Sequence, residues 1–295
     1  HLGVRRQRQM CIRDSNSAAT ISVDTANLLE ATTTGVVTAS ITTTETVSEL
    51  NTLTGTNGAY TIVVASGDAT STTAAQLNTL NGKTTVAVDL TNVTALAGSS
   101  LSDLETLASA INANEFSNDS GLTTIAVTDT TIDATTLAST IDSYDAIGGT
   151  TDMTLASGAT INVDAGEITE MLTDESAGRL TIVDQVITVN GATTVDNANL
   201  LGATTTGKLT ATIATTETVT ELATLSADGG TNDLTIVIRA DDATVSTAAQ
   251  LNTINAATAL AVDLTNVTAL AGSSLSDLET LASAINANEF SNDSG

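Results

Sequence analysis

Two spacings of apolar residues alternate along this chain. Runs such as TIVVA (61–65), VAVDL (86–90), TIAVT (124–128), TIVDQVITV (181–189) and LTIVI (234–238) are alternating or continuous in their apolar positions, as buried or half-buried strands are. Between them lie runs with apolar spacings of three and four, the pattern of an amphipathic helix. The clearest covers 102–112, where Leu104, Leu107, Ala108 and Ile111 share one stripe. Ser102 and Glu105 open it at capping-box spacing. Thr46 with Glu49 and Thr218 with Glu221 repeat that spacing ahead of Leu50 and Leu53, and of Leu222 and Leu225. Gly35, Gly82, Gly178 and Gly207 fall where these helices should stop. The alternation predicts about ten strand-plus-helix units of roughly 25–30 residues, a period typical of solenoids.

One short strand and one short helix cannot bury their own apolar faces, so each unit needs neighbours. Strand–helix–strand connections of this length favour parallel strands joined by right-handed crossovers. The expected fold is therefore α/β: a repetitive strand–helix solenoid with a parallel sheet on one side and helices on the other. The competing expectation is an all-β solenoid, which the abundance of Thr would suit. The segment LSDLETLASAIN (101–112) opposes it, because its apolar spacing does not fit a period of two.

The repeats also exist at a larger scale. Residues 87–121 recur unchanged as 261–295, an offset of 174. Upstream, ANLLEATTTG (26–35) matches ANLLGATTTG (198–207) at an offset of 172, and TTETVSELNTL (43–53) matches TTETVTELATL (215–225). The change of offset places a two-residue insertion near 226–233, where Gly229 and Gly230 suggest a loop. The chain thus divides into a leader (1–15), repeat block A (16–121), diverged middle repeats (122–194) and repeat block B (195–295).

The leader changes the reading of composition. Residues 5–15, RRQRQMCIRDS, are basic and polar, and no apolar segment follows of the kind a signal peptide needs. They resemble the translation of a transposase sequencing adapter, which implies an artefact that packs against nothing. They hold four of the eight basic residues and the single Cys, while the single His is residue 1. Beyond them stand four basic residues (Lys83, Arg179, Lys208, Arg239) against 33 acidic ones, a net charge of −29. No Trp or Pro occurs, and the aromatics are Tyr60, Phe116, Tyr144 and Phe290. So negative a surface should be repelled by nucleic acid, and it disfavours anionic membrane surfaces. No apolar run reaches the roughly 20 residues of a membrane span.

Most chemistry reduces to structure on this reading. A catalytic triad lacks its His outside the leader, and zinc lacks Cys and His ligands. The glycine pairs 148–149 and 229–230 form no phosphate-binding pattern and read as turns. Carboxylate pairs such as Glu167–Glu170 or Asp142–Asp145 could serve sugar hydrolysis, but aromatic sugar platforms are almost absent, so a carbohydrate-active solenoid enzyme is the remote alternative. Calcium is the more serious candidate. Asp24, Asp68, Asp89, Asp129, Asp164, Asp196, Asp242 and Asp263 recur close after strand runs, and calcium takes hard oxygen ligands. The competing account is that each Asp caps a helix or closes a turn. A Thr-x-Thr column, as ice binding would need, is not in register.

Thr/Ala/Asp-rich strand–helix repeats of this composition resemble those of very large secreted bacterial surface proteins and adhesins, over most of 16–295. The resemblance implies a structural or adhesive segment, extracellular or at the cell surface, without catalysis. Its implied partners are neighbouring repeats of the same longer chain and possible cell-surface or matrix components, with no nucleic acid and no membrane insertion. A calcium-binding extracellular repeat module is the second reading. The chain reads as a fragment whose next unit would resemble 122–139. Leu104 and Leu107, and Leu278 and Leu281 in the second copy, are expected to face the sheet.

Overall fold

The computed structural model describes residues 20–55, 58–147, 151–226 and 231–293. The leader, the glycine pairs at 148–149 and 229–230, and residues 227–230 of the inserted loop lie outside the described residues.

The fold is α/β with parallel sheets, and every described strand pairing is parallel. Ten α-helices occur among the described residues, which excludes the all-β arrangement. In chain order they are α1 (Val23–Glu30), α2 (Val47–Leu50), α3 (Ala74–Asn81), α4 (Leu101–Asn112) and α5 (Ala134–Asp145). Then follow α6 (Ile168–Ser176), α7 (Val195–Thr204), α8 (Val219–Leu222), α9 (Ala248–Asn255) and α10 (Leu275–Asn286).

The helices begin where short polar side chains can take up otherwise unpaired N–H groups. Ser22, Thr46, Thr73, Ser100, Thr194, Thr218, Thr247 and Ser274 each accept from the backbone N–H three residues on. The boxes at Thr46–Glu49 and Thr218–Glu221 form as expected, and Thr73–Gln76 and Thr247–Gln250 add two more. The cap of α4 differs from expectation. Ser100, not Ser102, holds the N-terminus by accepting from the Asp103 N–H at 3.2 Å. The Ser–x–x–Asp pair accounts for it: the Ser100 hydroxyl also donates to the Asp103 carboxylate at 2.7 Å, and Ser274 with Asp277 caps α10 in the same way.

The glycines divide as well. Gly82 is the C-cap of α3, and Gly178 follows the C-cap of α6 at φ +71°. Gly35 and Gly207 instead lie in turns beyond α1 and α7, with their N–H groups accepted by Thr33 and Thr205. At Gly207 a Cβ would meet the Gln185 carbonyl oxygen at 2.2 Å, so close backbone approach is what the position requires.

The chain forms two compact units. One holds the residues up to Thr128 together with Ser139–Thr154; the other holds Asp129–Ala138 and everything from Leu155 onward. These units cut across the sequence blocks. In the first, Thr20–Ile21, Thr38–Ile41 and Ala59–Thr61 form one sheet, Val88–Asp89 pairs with Phe116–Ser117, and Ala95–Ser99, Thr124–Val127 and Asp152–Thr154 form another. In the second unit five strands run in the order Asp233–Thr235, Leu209–Ile213, Val186–Thr193, Thr160–Asp164 and Thr131–Asp133, and Val262–Asp263 pairs with Phe290–Ser291.

Each core is built from the inward residues of these strands and the apolar stripes of the helices. On α4, Leu101, Leu104, Leu107, Ala108 and Ile111 are buried, the stripe the spacing predicts with one more residue at its start. The second copy departs from expectation. Leu281 on α10 is buried, but Leu278 is 38% exposed.

Candidate functional site

Most of these strands are only two to five residues long. So short a ladder leaves backbone N–H and C=O groups in the interior without strand partners, and such groups are costly unless paired. The polar side chains of neighbouring coils supply the missing partners. The Tyr60 N–H donates to Thr84 Oγ1 at 3.0 Å, and the same hydroxyl donates to the Tyr60 carbonyl at 2.8 Å. Thr258 repeats the bridge on Leu234, at 2.9 and 2.8 Å. Thr205 donates to the Gln185 carbonyl at 2.6 Å. All three threonines are buried. Ser99 and Ser273 do similar work, accepting from the Ala74 and Ala248 N–H groups at 2.9 and 3.0 Å while donating to Ala97 and Ala271.

A second series runs along the helices. Asn27, Asn51 and Asn78 donate through Nδ2 to the carbonyls of Thr52, Gln76 and Asp103, each 25 residues on, at 3.1, 3.1 and 2.9 Å. Asn199 and Asn252 do the same for Thr224 and Asp277. Where the ladder has room for a second bond, Asn27 and Asn199 accept from the N–H groups of Thr54 and Ser226 at 2.8 Å. The Oδ1 atoms of Asn51, Asn78 and Asn252 are buried without a protein partner. The counterpart of Asn51 in the second block is Ala223, so one rung there is absent.

The eight aspartates separate into distinct local roles. Asp68 accepts from the Val47 N–H at 2.8 Å and Asp242 from the Val219 N–H at 2.7 Å, so each caps a helix of the preceding coil. Buried Asp242 is also paired with Arg239 at 3.0 Å. Asp89 and Asp263 close turns by accepting from Thr91 and Thr265 N–H groups at 2.8 Å. Asp24 and Asp196 lie in the first turns of α1 and α7, where negative charge suits the helix dipole. Asp164 ends the strand Thr160–Asp164, and Asp129 is half-buried. Among the described residues no three His, Cys, Asp or Glu side chains converge on one point. Calcium takes six to eight oxygens, and the structure does not gather these aspartates into such a set.

Hydrogen bonding tunes several carboxyls. Burial pushes Asp89 up, but bonds from the Asn118 amide and from Thr91 outweigh it and hold the group below its usual range. The Asn292 amide, then the Thr265 hydroxyl, hold Asp263 down likewise. The Thr46 and Thr218 N–H groups, followed by their hydroxyls, lower Glu49 and Glu221. The Ser157 hydroxyl lowers Asp184. Burial raises the Tyr60 phenol, which donates to Glu30 at 2.7 Å, and burial raises Tyr144. Each perturbed group is explained by a structural partner or by burial.

Of the carboxylates considered for sugar chemistry, one is engaged by a neighbouring side chain and two are exposed on helices. Glu167 accepts from the Thr135 hydroxyl at 2.6 Å, Glu170 is exposed in the first turn of α6, and Asp142 is exposed on α5. The residues that recur in one role from coil to coil include Thr84, Thr205 and Thr258 and the asparagine series. Sequence reasoning passed over them. The signal lay in the repeated ANLL, ELNTL and QLNTL segments, which set Asn at a fixed helical position. Comparison with protein-family models, curated proteins and solved structures gives no match.

Proposed function

We propose that this chain is a structural or adhesive repeat segment of a large secreted bacterial surface protein, acting through its surface without catalysing a reaction. The observation that carries the reading is the recurring use of polar side chains between coils. Thr, Ser, Asn and Asp residues at equivalent positions bond the backbone of the adjacent coil, so the distinctive composition serves cohesion of the stack. What faces solvent is strongly acidic, which favours solubility and mutual repulsion of neighbouring copies. Its partners on this reading are neighbouring repeats of the same longer chain and components of a cell surface or matrix. Antibodies raised against the chain should label intact cells that carry the gene. Labelling only after permeabilisation would overturn the proposal.

A further inference from the structure

Residues 87–121 and 261–295 are the same sequence in two surroundings. In the first copy Ala95–Ser99 is a strand, paired in parallel with Thr124–Val127 so that Leu96 stands beside Ile125 and Ser99 beside Val127. The N–H groups of Thr123 and Thr128 donate to the carbonyls of Thr94 and Ser99 at 2.9 and 3.0 Å. The Tyr144 phenol donates to the Leu104 carbonyl at 3.1 Å. Beneath this cover Val93, Leu96, Leu101 and Leu104 are all buried.

In the second copy 269–273 forms no strand. Leu270, Leu275 and Leu278 are 38%, 73% and 38% exposed. An open groove of about 160 Å³ is lined by Leu251, Leu264, Val267, Leu270, Leu281 and Ile285. Leu251, Leu264 and Leu281 remain buried at its floor, but Val267, Leu270 and Ile285 lose cover that their first-copy counterparts Val93, Leu96 and Ile111 keep. The glycines report the same difference. A Cβ on Gly98 would meet the Thr128 methyl at 2.6 Å, whereas nothing lies within 4 Å of one on Gly272.

We propose that the face from Leu270 to Leu278 is a docking surface for one further strand–helix coil with the residue chemistry of 122–145. The identical first copy specifies that occupant. It carries a strand that pairs in parallel with 269–273, a β-branched side chain set over Gly272, and a helix that brings a phenol to the Leu278 carbonyl. Apolar residues on a surface need no partner by themselves, but here the same residues are seen with theirs in the first copy. The inference is independent of the surface-protein reading, since a coil would dock in any compartment.

The test extends the full chain after Gly295 by a second copy of residues 122–145, with a scrambled extension as reference. The true extension should raise the melting temperature by about 2–4 °C or more and protect the amides of 269–273 from hydrogen exchange. Gly272→Val should cancel both effects in the extended chain. In the unextended chain it should leave the melting temperature unchanged, because its side chain enters open space. An extension no more stabilising than the scrambled one would overturn the proposal. So would protection of the same amides by concentration-dependent dimerisation of the unextended chain, which would make a second copy the occupant.

Discussion

At Thr84 one hydroxyl replaces a length of strand. It accepts from the Tyr60 N–H and donates to the Tyr60 carbonyl, so both groups are satisfied where the ladder has already ended. Thr84→Val keeps the shape and removes both bonds, leaving a buried donor and acceptor unpaired. The expected loss is about 1–3 kcal/mol, read from urea unfolding, and Thr84→Ser should recover most of it. Equal stability of the Val and Ser variants would show that the bridge contributes nothing. This scale was the least legible in the sequence. The abundance of Thr was visible and suggested β-structure, yet propensity does not say which hydroxyl turns inward across a gap between coils. Ser100 carries the same lesson: capping-box spacing pointed to Ser102, whereas the cap is Ser100, bonded to Asp103 three residues on.

Among the elements, α4 and α10 have one sequence and two environments. Leu104 is fully buried, so Leu104→Ala should cost about 2–5 kcal/mol through lost transfer energy and the cavity left behind. Leu278, at 38% exposure, should cost no more than about 1 kcal/mol on the same substitution. Thermal or denaturant melts of the two single variants make the comparison, and equal losses would contradict the difference in packing. Helical periodicity identified this stripe correctly, with the same four residues on the inward face of α4. It could not distinguish the two copies. Periodicity reports which side of a helix is apolar, while burial depends on what a different part of the chain lays over it. Most alternating runs coincide with strands, though as shorter ladders than their apolar stretches suggest, while TIVVA (61–65) overlaps the strand Ala59–Thr61 only at Thr61 and adds a single bridge at Val63.

For the molecule as a whole, charge and hydrogen bonding act in opposite directions as pH falls. With 34 acidic residues against eight basic ones, protonation first relieves repulsion. The carboxyls of Glu49, Asp89, Asp184, Glu221 and Asp263, however, are held below their usual range by partners that exist only in the folded chain. A folded pKa below the unfolded one gives stabilisation that is complete above the unfolded value and is lost as pH falls through the folded one. Glu49, Asp184 and Glu221 are solvent-screened, so Asp89 and Asp263 should carry most of the fall in melting temperature below about pH 4. Asp89→Asn combined with Asp263→Asn keeps an acceptor for the Thr91 and Thr265 N–H groups while removing the charge. This pair should lower the melting temperature at neutral pH and flatten the acid limb; an acid limb as steep as that of the parent would refute the assignment. At this scale the sequence was most informative. Repeat length, α/β class and net charge follow from counting and spacing, because they are sums over many residues. The two compact units were not foreseen, since their boundaries cut through blocks that look continuous in sequence.

The asparagine series has a kinetic side. Each of the rungs joins residues 25 apart, so every coil tied by one closes a loop of the same modest length. Loop-closure entropy grows with span, so a constant span gives each coil tied in this way the same closure cost. Bonds held to so short a span lower contact order, which favours rapid folding. It also contains no proline whose isomerisation could stall it. Order can consequently spread coil by coil along the chain, starting wherever two neighbours first meet, without waiting for the far end to arrive.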